Sequence, residues 1–506
     1  MNATPPQLIT PHASAKKRRG VVIVAVLVVI VLLSLAGYQY ADMTLAEYKA
    51  SENAHRLVQA RALAGSGVHF AMAMTSRTAN LNNIEGNLWN NPLFKDVELK
   101  GDDGKVIGRF SLIAPPEADD TAGQVRFGLE CEAGKLNLNA MMKLDPTGKT
   151  LNGMLMKLPI MTADIAAAIV DWLDPDSEAK AGGAESDYYS SLSPSYRARN
   201  GPIESLDELL LVKGMTRELL YGNDLNRNGI QDANEMSDDG GGFSRGWSAL
   251  LTVHSREQNR DLESGTLVWI NNTDLKQLYE GLAQYIGDEE LAKFIVMYRQ
   301  YASADVDAAL PKGTTIGSLA NYQVKFDRRA AYQVNSIYDL IGVRIQRGKV
   351  IYTSPLNDPA KLSELLPGLL MYGKLADVPE IVARVNVNTA PREVLLTIPG
   401  LTAADVDKIM QTRPRLSATE TTPEIFDTQA WLVTDAKFSA NQMRSLDMYL
   451  GGTSQVYRVQ AVGQLTGRGP TVRIEAVIDT NAGRPRIIAW RDLTELGKGL
   501  NEQPAR

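Results

Sequence analysis

Cysteine is nearly absent from this 506-residue chain: Cys131 stands alone, which excludes an internal disulfide framework and a cysteine-based zinc site. Histidine is scarce too, and His12, His55, His69 and His254 never fall at a metal-ligand spacing such as H-x-x-x-H. Neither sign of charge dominates: 53 Lys+Arg against 59 Asp+Glu leave a net charge of −6, which argues against wrapping nucleic acid by bulk charge. A hydrophobic fraction of 44% and a charged fraction of 22% are those of an ordinary globular protein. The length suffices for roughly two to four domains with real cores.

What is present begins at the N-terminus. Lys16, Lys17, Arg18, Arg19 and Gly20 precede an apolar run that carries no charge from Val21 to Ala41. Its strongest part, Val21 to Ala36, falls a little short of the ~20 residues that span a bilayer. Tyr38 and Tyr40 bring it to length and place aromatic rings at the outer interface. Basic residues before the run, with Asp42 and Glu47 after it, put the leader inside and the remainder outside. Three readings fit. A secretory signal would be cut after Ser34-Leu35-Ala36, but no polar region precedes that cut. A plain membrane anchor is the second. The third is a prepilin-type leader, cut between Gly20 and Val21 by a peptidase that leaves the apolar segment on the mature chain. Beyond it, Leu45, Tyr48, Leu57, Val58, Leu63, Val68, Phe70 and Met74 recur at helical spacing, and no proline interrupts Val21 to Met74. One helix of that length would measure about 80 Å, far more than a globular core requires.

After residue 76 the pattern changes to strands. Val106 to Ile113 and Val125 to Cys131 are expected as the first. Strand signals then vanish for about 300 residues and return at Val456 to Val462, Val472 to Ile478 and Ile487 to Trp490. Val472, Ile474, Ala476 and Ile478 alternate with Arg473 and Glu475, the pattern of a half-buried strand. Two strand sets flanking a helical stretch predict one antiparallel sheet interrupted by an insertion. Within the insertion, Leu136-Asn137-Leu138-Asn139, Ile270-Asn271-Asn272-Thr273 and Val385-Asn386-Val387-Asn388-Thr389 each open a helical unit. Ile165 to Trp172, Leu291 to Tyr298 and Val406 to Met410 supply a second amphipathic helix to each. Ser205-Leu206-Asp207-Glu208-Leu209 and Ser336-Ile337-Tyr338-Asp339-Leu340 match as capped helix starts, so the insertion reads as duplicated helical hairpins.

The strongest chemical motif is residues 224–235. Asp224, Asn226 and Asn228 offer oxygens at positions one, three and five of a calcium loop. Gly229 permits the sharp turn and Ile230 offers its backbone carbonyl. Asp232 stands at position nine, and Glu235 can bind through both oxygens. The alternative is an Asn/Asp/Gly-rich surface loop that needs no ion. EF-hand flanking helices are not evident, so calcium is expected as a structural staple of modest affinity. A second acidic cluster, Asp171, Asp174, Asp176, Glu178, Glu185 and Asp187, gives no ligand set by sequence alone.

Two apparent catalytic motifs fail. Gly242-Phe-Ser244-Arg-Gly246 lacks the strand that a nucleophile elbow requires, and Gly148-Lys149-Thr150 has Lys143 where a phosphate loop needs glycine. No nucleophile, base and orienting group can be assembled, and the chain reads as a non-enzyme. Asn386 to Arg413, with Ile398-Pro399-Gly400-Leu401 at its turn, looks like a helix-hairpin-helix unit of the kind in competence-type DNA receptors. Arg392, Lys408 and Arg413 are balanced there by Glu393, Asp405 and Asp407, which favours packing or protein contacts over phosphate binding.

Together these stretches resemble the general secretion pathway protein K family, the large minor pseudopilin of type II secretion. The resemblance rests on the Arg19-Gly20/Val21 junction, on Gly134 to Asn139, Val170 to Asp174, Gly183 to Tyr189 and Ser205 to Gly214, and on Asn386 to Gly400. It implies an α+β fold with a long N-terminal pilin-like helix, an antiparallel pseudopilin sheet and a large helical domain inserted in that sheet. The implied division is a leader at 1–20, the helix at 21–75 and the first part of the sheet at 76–136. The inserted domain would occupy 137–449 and the closing strands 450–506. The resemblance also implies processing by prepilin peptidase, a single pass through the inner membrane and a periplasmic head. Its implied partners are the I- and J-type minor pseudopilins and the major pseudopilin, with nucleic acid not expected. Most pilin-like subunits carry glutamate at the fifth mature position, which here is Ala25, and a first subunit with no neighbour ahead can dispense with that carboxylate. This implies the tip of the pseudopilus and a part in initiating its assembly. The leader is longer than is typical of the family, and residues 241–384 enlarge the domain. The alternative function is a membrane-anchored DNA-uptake receptor using the hairpin at 386–413.

Overall fold

The computed structural model describes residues 19–76, 88–116, 125–235, 242–259, 267–310, 312–413, 424–467, 469–481 and 483–500. The expected leader therefore lies outside the described residues except at Arg19 and Gly20. The chain divides into two units, residues 1–59 and 60–506. Helix α1 runs from Arg19 to Thr75 without a break. In the first unit its side chains from Val21 to Tyr40 are all exposed, and by length and composition alone this helix can cross a membrane.

The second unit begins inside α1. Ala60, Leu63, Ala64, Val68 and Ala71 form a buried stripe at helical spacing. Phe70 adds an aromatic contact at 5.6 Å to Phe110 and one at 6.1 Å to Phe94. The stripe lies on a six-stranded sheet built from both ends of the unit. Its strands are β1 (Val97–Lys100), β2 (Val106–Ile113), β3 (Glu130–Cys131), β4 (Val456–Leu465), β5 (Thr471–Asp479) and β6 (Arg486–Asp492). The order is β1-β2-β4-β5-β6, all antiparallel, with β3 also on β4. Gln460 faces Ile113 across the join, so strands more than 300 residues apart close one sheet, as the two flanking strand sets predicted. Helix and sheet approach closely at Gly463, where a Cβ would lie 2.4 Å from both the Ala60 carbonyl oxygen and the Ala64 nitrogen.

Two strand expectations are corrected. Val125 to Cys131 is not continuous: Arg126 bridges Ala114, and regular pairing resumes only at Glu130. Arg126 turns inward, donating from Nε to the Pro115 carbonyl (2.6 Å) and from Nη1 to the Leu129 carbonyl (2.8 Å). The chain bends at Gly128, where a Cβ would stand 1.9 Å from the Trp89 carbonyl oxygen. The second concerns β5, whose polar face is not solvated. Arg473 is completely buried and the Glu475 side chain is only 12% exposed, because the insertion covers that face.

The insertion leaves at β3 and returns at β4. Three short parallel pairings tie its chain together: Leu136–Asn137 with Leu251–Thr252, Val268–Trp269 with Gly373–Lys374, and Val385–Asn386 with Leu450–Gly451. The Asn-bearing segments do open helical units, and the first two use one clamp. Asn139 Nδ2 donates to the Ile203 carbonyl (2.8 Å) while its Oδ1 accepts from Ile203 N (3.1 Å). Asn271 does the same with Val334 (2.9 Å and 2.9 Å). In each case a serine two residues on, Ser205 or Ser336, caps the next helical turn.

Three hairpins share one turn. They join α2 (Lys149–Leu155) to α3 (Ala163–Leu173), the turn Leu206–Leu211 to α4 (Arg217–Tyr221), and α5 (Arg392–Thr397) to α6 (Ala403–Thr412). Each turn has a left-handed residue (Ile160, Gly214 or Gly400) followed two residues later by a threonine cap (Thr162, Thr216 or Thr402). The expectation of no strands through the insertion fails within the enlarged region. Ser303–Asp305, Val343–Arg347, Val350–Thr353 and Thr315–Ile316 form a small sheet in that order, closed by a hairpin at Gly348, whose φ is +64°.

Candidate metal centres and the charged seam

Residues 224–235 fold into a compact loop that begins three residues after α4. Asp224 and Glu235 are buried at its two ends, and Asp232 is half-buried. Asp224 Oδ1 accepts from Asn228 N (3.1 Å) and Oδ2 from Gly229 N (2.9 Å). Glu235 Oε1 accepts from Leu225 N (2.8 Å) and Asn226 N (3.2 Å), and Oε2 from Asp232 N (3.0 Å). The amides of Asn226 (2.5 Å) and Asn228 (3.0 Å) both donate to Asp232 Oδ2. Gly229 adopts a φ of +80° at the sharp turn. Asp224, Asn226, Asn228, Asp232 and Glu235 are thus gathered at one place, and Ile230 is buried with its N–H on Asn228 Oδ1 (2.9 Å). A carboxylate oxygen carries two lone pairs, so both Asp224 oxygens and Glu235 Oε2, with one N–H each, keep capacity for a cation, whereas Glu235 Oε1 and Asp232 Oδ2 already accept two. Burial pushes the Asp224 carboxyl up, and the hydrogen bond from Gly229 N and the Arg245 charge only partly offset it.

The sheet holds this loop from below. Gln460 Nε2 of β4 donates to the Arg227 carbonyl (2.9 Å), and the Arg473 guanidinium of β5 donates to the Asn226 carbonyl. Burial lowers the Arg473 pKa to about 10.

The second acidic cluster resolves into three carboxylates at the end of α3. Ligand oxygens of Asp174, Asp176 and Glu185 all lie within 4.8 Å of one another. Asp174 and Glu185 are buried, and among the described residues Asp174 Oδ1 and both Glu185 oxygens have no hydrogen-bond partner. Such orphaned carboxylate oxygens are costly unless a proton or a cation meets them. Burial, with the Asp174 and Asp171 carboxylates beside it, pushes the Glu185 carboxyl up to about 7. Asp171 does not join the three: it accepts from Lys180 N (3.1 Å) and Ala184 N (2.9 Å), while Lys180 Nζ lies 3.4 Å from Asp171 and pairs more closely with Asp174 Oδ2. The sequence marked this cluster but could not choose among its acids, because the choice depends on which chain segment folds back over α3.

Sequence reasoning missed the seam between sheet and insertion. There Arg458 of β4 pairs with Glu132 (2.6 Å) and Glu475 (2.7 Å), Lys135 with Glu130 (2.9 Å), and Arg245 with Glu130 (3.1 Å). All of these groups except Glu132 border a cavity of about 380 Å³ that Asp224 also lines. No signal marks the seam in sequence, since its members come from four separated segments.

The hairpin singled out for DNA binding has its cations engaged. Arg392 pairs with Asp407 (2.8 Å), Arg413 Nη1 donates to the Ala390 carbonyl (2.7 Å), and Lys408 lies 5.5 Å from the Phe438 ring centroid. Lys157 from the first hairpin reaches the Thr397 (3.4 Å) and Ile398 (3.5 Å) carbonyls at the turn. Ser244 Oγ accepts from Gly246 N (3.1 Å).

The class these features define is a mixed α+β protein whose N-terminal helix packs on an antiparallel sheet interrupted by a helical domain. Comparison with known proteins is more particular. Residues 134–221 match the family model described as Type II secretion system (T2SS), protein K. Type II secretion system protein K of Klebsiella pneumoniae is 36% identical over 61 residues, 12% of this chain and 19% of that protein. The chain thus spans about a fifth of the length of the curated relative it matches. Among solved structures, a chain of the GspK-GspI-GspJ complex from the enterotoxigenic Escherichia coli Type 2 Secretion System is similar over 87% of this chain and 98% of its own. The TM-score is 0.39 and the identity 11%.

Proposed function

We propose that this chain is the large minor pseudopilin of a type II secretion system, an assembly component rather than an enzyme. The observation that carries the reading is where the family match falls. Residues 134–221 form the first helical unit hung from β3, so the matched segment is the start of the insertion that interrupts the sheet. The exposed apolar stretch of α1 supports a single pass through the inner membrane with the second unit in the periplasm. Ala25 in place of a membrane glutamate supports a subunit at the tip that initiates the pseudopilus, with the I- and J-type minor pseudopilins and the major pseudopilin as partners. Calcium would be held by Asp224, Asn226, Asn228, the Ile230 carbonyl, Asp232 and Glu235, and a second cation by Asp174, Asp176 and Glu185. Bound there, each ion would neutralise converging carboxylates and staple its loop.

The test is the N-terminus of the mature protein from membranes, read by intact mass and sequencing. A start at Val21 that depends on prepilin peptidase is expected. A start at Met1 or Gly37 would make the chain an anchored or secreted protein and overturn the reading.

A further inference from the structure

The enlarged region has a charge of its own. Residues 312–353 contain seven lysines and arginines against two carboxylates, in a chain whose net charge is −6. One of the two, Asp339, is already used: it closes a capping box and lies 3.1 Å from Arg444. The other, Asp327, is exposed in the loop 325–329.

Two of the cations lie on an aromatic cluster. The Arg328 guanidinium lies 4.1 Å from the centroid of the Tyr301 ring, and that of Arg347 lies 5.9 Å from the same ring and 5.5 Å from Tyr322. Tyr322 in turn meets Tyr352 of the small sheet edge-on at 5.2 Å. The loop is fixed, since Gln300 Nε2 donates to the Lys325 (2.6 Å) and Arg328 (3.0 Å) carbonyls. Lys349 lies beside the edge strand Thr315–Ile316, its carbonyl accepting from Thr315 N (2.8 Å). Lys325, Arg328, Arg329 and Lys349 are exposed, and neither they nor Arg347 pair with a carboxylate among the described residues. Apolar side chains project from the same elements, Ile316 at 83% and Phe326 at 39% exposure.

We propose that this face, built on Tyr301, Arg328, Arg347 and Lys349, docks onto a bilayer surface rich in anionic phosphate headgroups. Unpaired cations answer the surface charge, and each contributes through a field that salt screens. Projecting apolar tips among the cations distinguish a bilayer from an acidic protein or a nucleic-acid backbone, because they can enter the boundary between headgroups and acyl chains. The inference does not rest on the secretion reading, since it concerns only residues of the enlarged region.

The test uses the full chain reconstituted in phosphatidylcholine vesicles, scored by capture of a second, fluorescent vesicle population. Vesicles doped with phosphatidylglycerol should be captured, pure phosphatidylcholine vesicles should not, and capture should fall with added sodium chloride. The triple variant Lys325→Gln/Arg329→Gln/Lys349→Gln should weaken capture roughly fivefold per removed cation at low salt. Phe326→Ser should weaken it without any change of charge, and Arg328→Lys, which keeps the charge, should retain it. The basic residues before α1 are common to every variant, so differences between variants isolate this face. Equal capture of neutral vesicles, or undiminished capture by the triple variant, would overturn the proposal. Displacement by inorganic phosphate beyond the effect of equal ionic strength would instead indicate a site for a single phosphate and would also overturn it. So would retention of duplex DNA by a protein that captures no vesicles.

Discussion

Arg458 Nε lies 2.6 Å from Glu132 Oε1, although the two residues are 326 positions apart in the chain. One belongs to the closing strand set and the other to the first turn of the insertion, so this pair fastens the inserted domain to the sheet. Arg458 also holds Glu475, so losing it strands more than one buried carboxylate.

Arg458→Ala is therefore expected to destabilise the second unit by about 3–5 kcal/mol, the usual result of orphaning a buried charge. Arg458→Met/Glu132→Met, which removes both charges, should recover part of the loss. Urea midpoints of the single and double variants decide it. Equal loss in both would mean that the pair contributes through packing alone.

The same seam sets an acid limit. Burial alone would raise the Glu130 carboxyl, yet Lys135, Arg245 and Arg458 outweigh it and hold the pKa at about 2; Glu132 is lowered in the same way by Arg458 and Lys135. A carboxyl lowered in the folded state contributes stability that is complete above its unfolded value of about 4.3 and disappears as pH falls through the folded one. Unfolding temperature should hold down to roughly pH 5 and drop between about pH 4.3 and 2. Removing both charges with Arg458→Met/Glu132→Met should flatten that drop. A flat wild-type profile would show that the seam is not the controlling group.

Millimolar calcium is expected to raise the unfolding temperature of the protein, as a ligand that binds only the folded state must. Asp224→Ala and Glu235→Ala should each lose the part of that shift that belongs to residues 224–235. Glu185→Gln should lose a separate part if the carboxylates at the end of α3 hold a second ion. A shift that survives all three substitutions would refute both ligand sets.

Gly463→Val tests how α1 meets the sheet. The new Cβ would fall 2.4 Å from backbone atoms of Ala60 and Ala64, and backbone cannot step aside as a flexible side chain would. Destabilisation of about 3 kcal/mol or failure to fold is expected, by the penalty for overpacking. Thermal melts of Gly463→Ala and Gly463→Val should show a graded loss, and tolerance of valine would contradict the close approach.

Ile160 takes a φ of +62° in the first hairpin turn, where the two equivalent turns have Gly214 and Gly400, and its side chain is 77% exposed. A β-branched residue is strained in that conformation by roughly 1–2 kcal/mol. Ile160→Gly should raise stability by about 1 kcal/mol in urea titrations. A loss of stability would indicate that the isoleucine side chain contributes packing that outweighs its strain.

Local chemistry made much of this fold legible in advance. A charge-free apolar run can only be exposed to lipid or buried. Of the apolar residues at helical spacing in α1, Leu63 and Val68 do lie on its packed face while Leu45, Tyr48 and Val58 are exposed, and period-two alternation marks β5. The Asn segments mark where helical units start, because an asparagine side chain can satisfy backbone groups across a turn. Residues 224–235 were legible as a compact loop that gathers side-chain oxygens at fixed spacing, and calcium in that loop is a proposal. What sequence could not supply is whatever depends on a distant segment arriving. Arg473 reads as a solvent-facing residue of an alternating strand and is buried because the insertion covers it. Asp174 and Glu185 read like their acidic neighbours and differ from them only because the chain folds back over the end of α3. Arg458 and Glu132 carry no mutual signal in sequence, for their pairing exists only once the two ends of the sheet have closed. Periodicity and turn chemistry act over a few residues and are written in the chain, whereas burial and charge pairing act through space and wait on the tertiary fold.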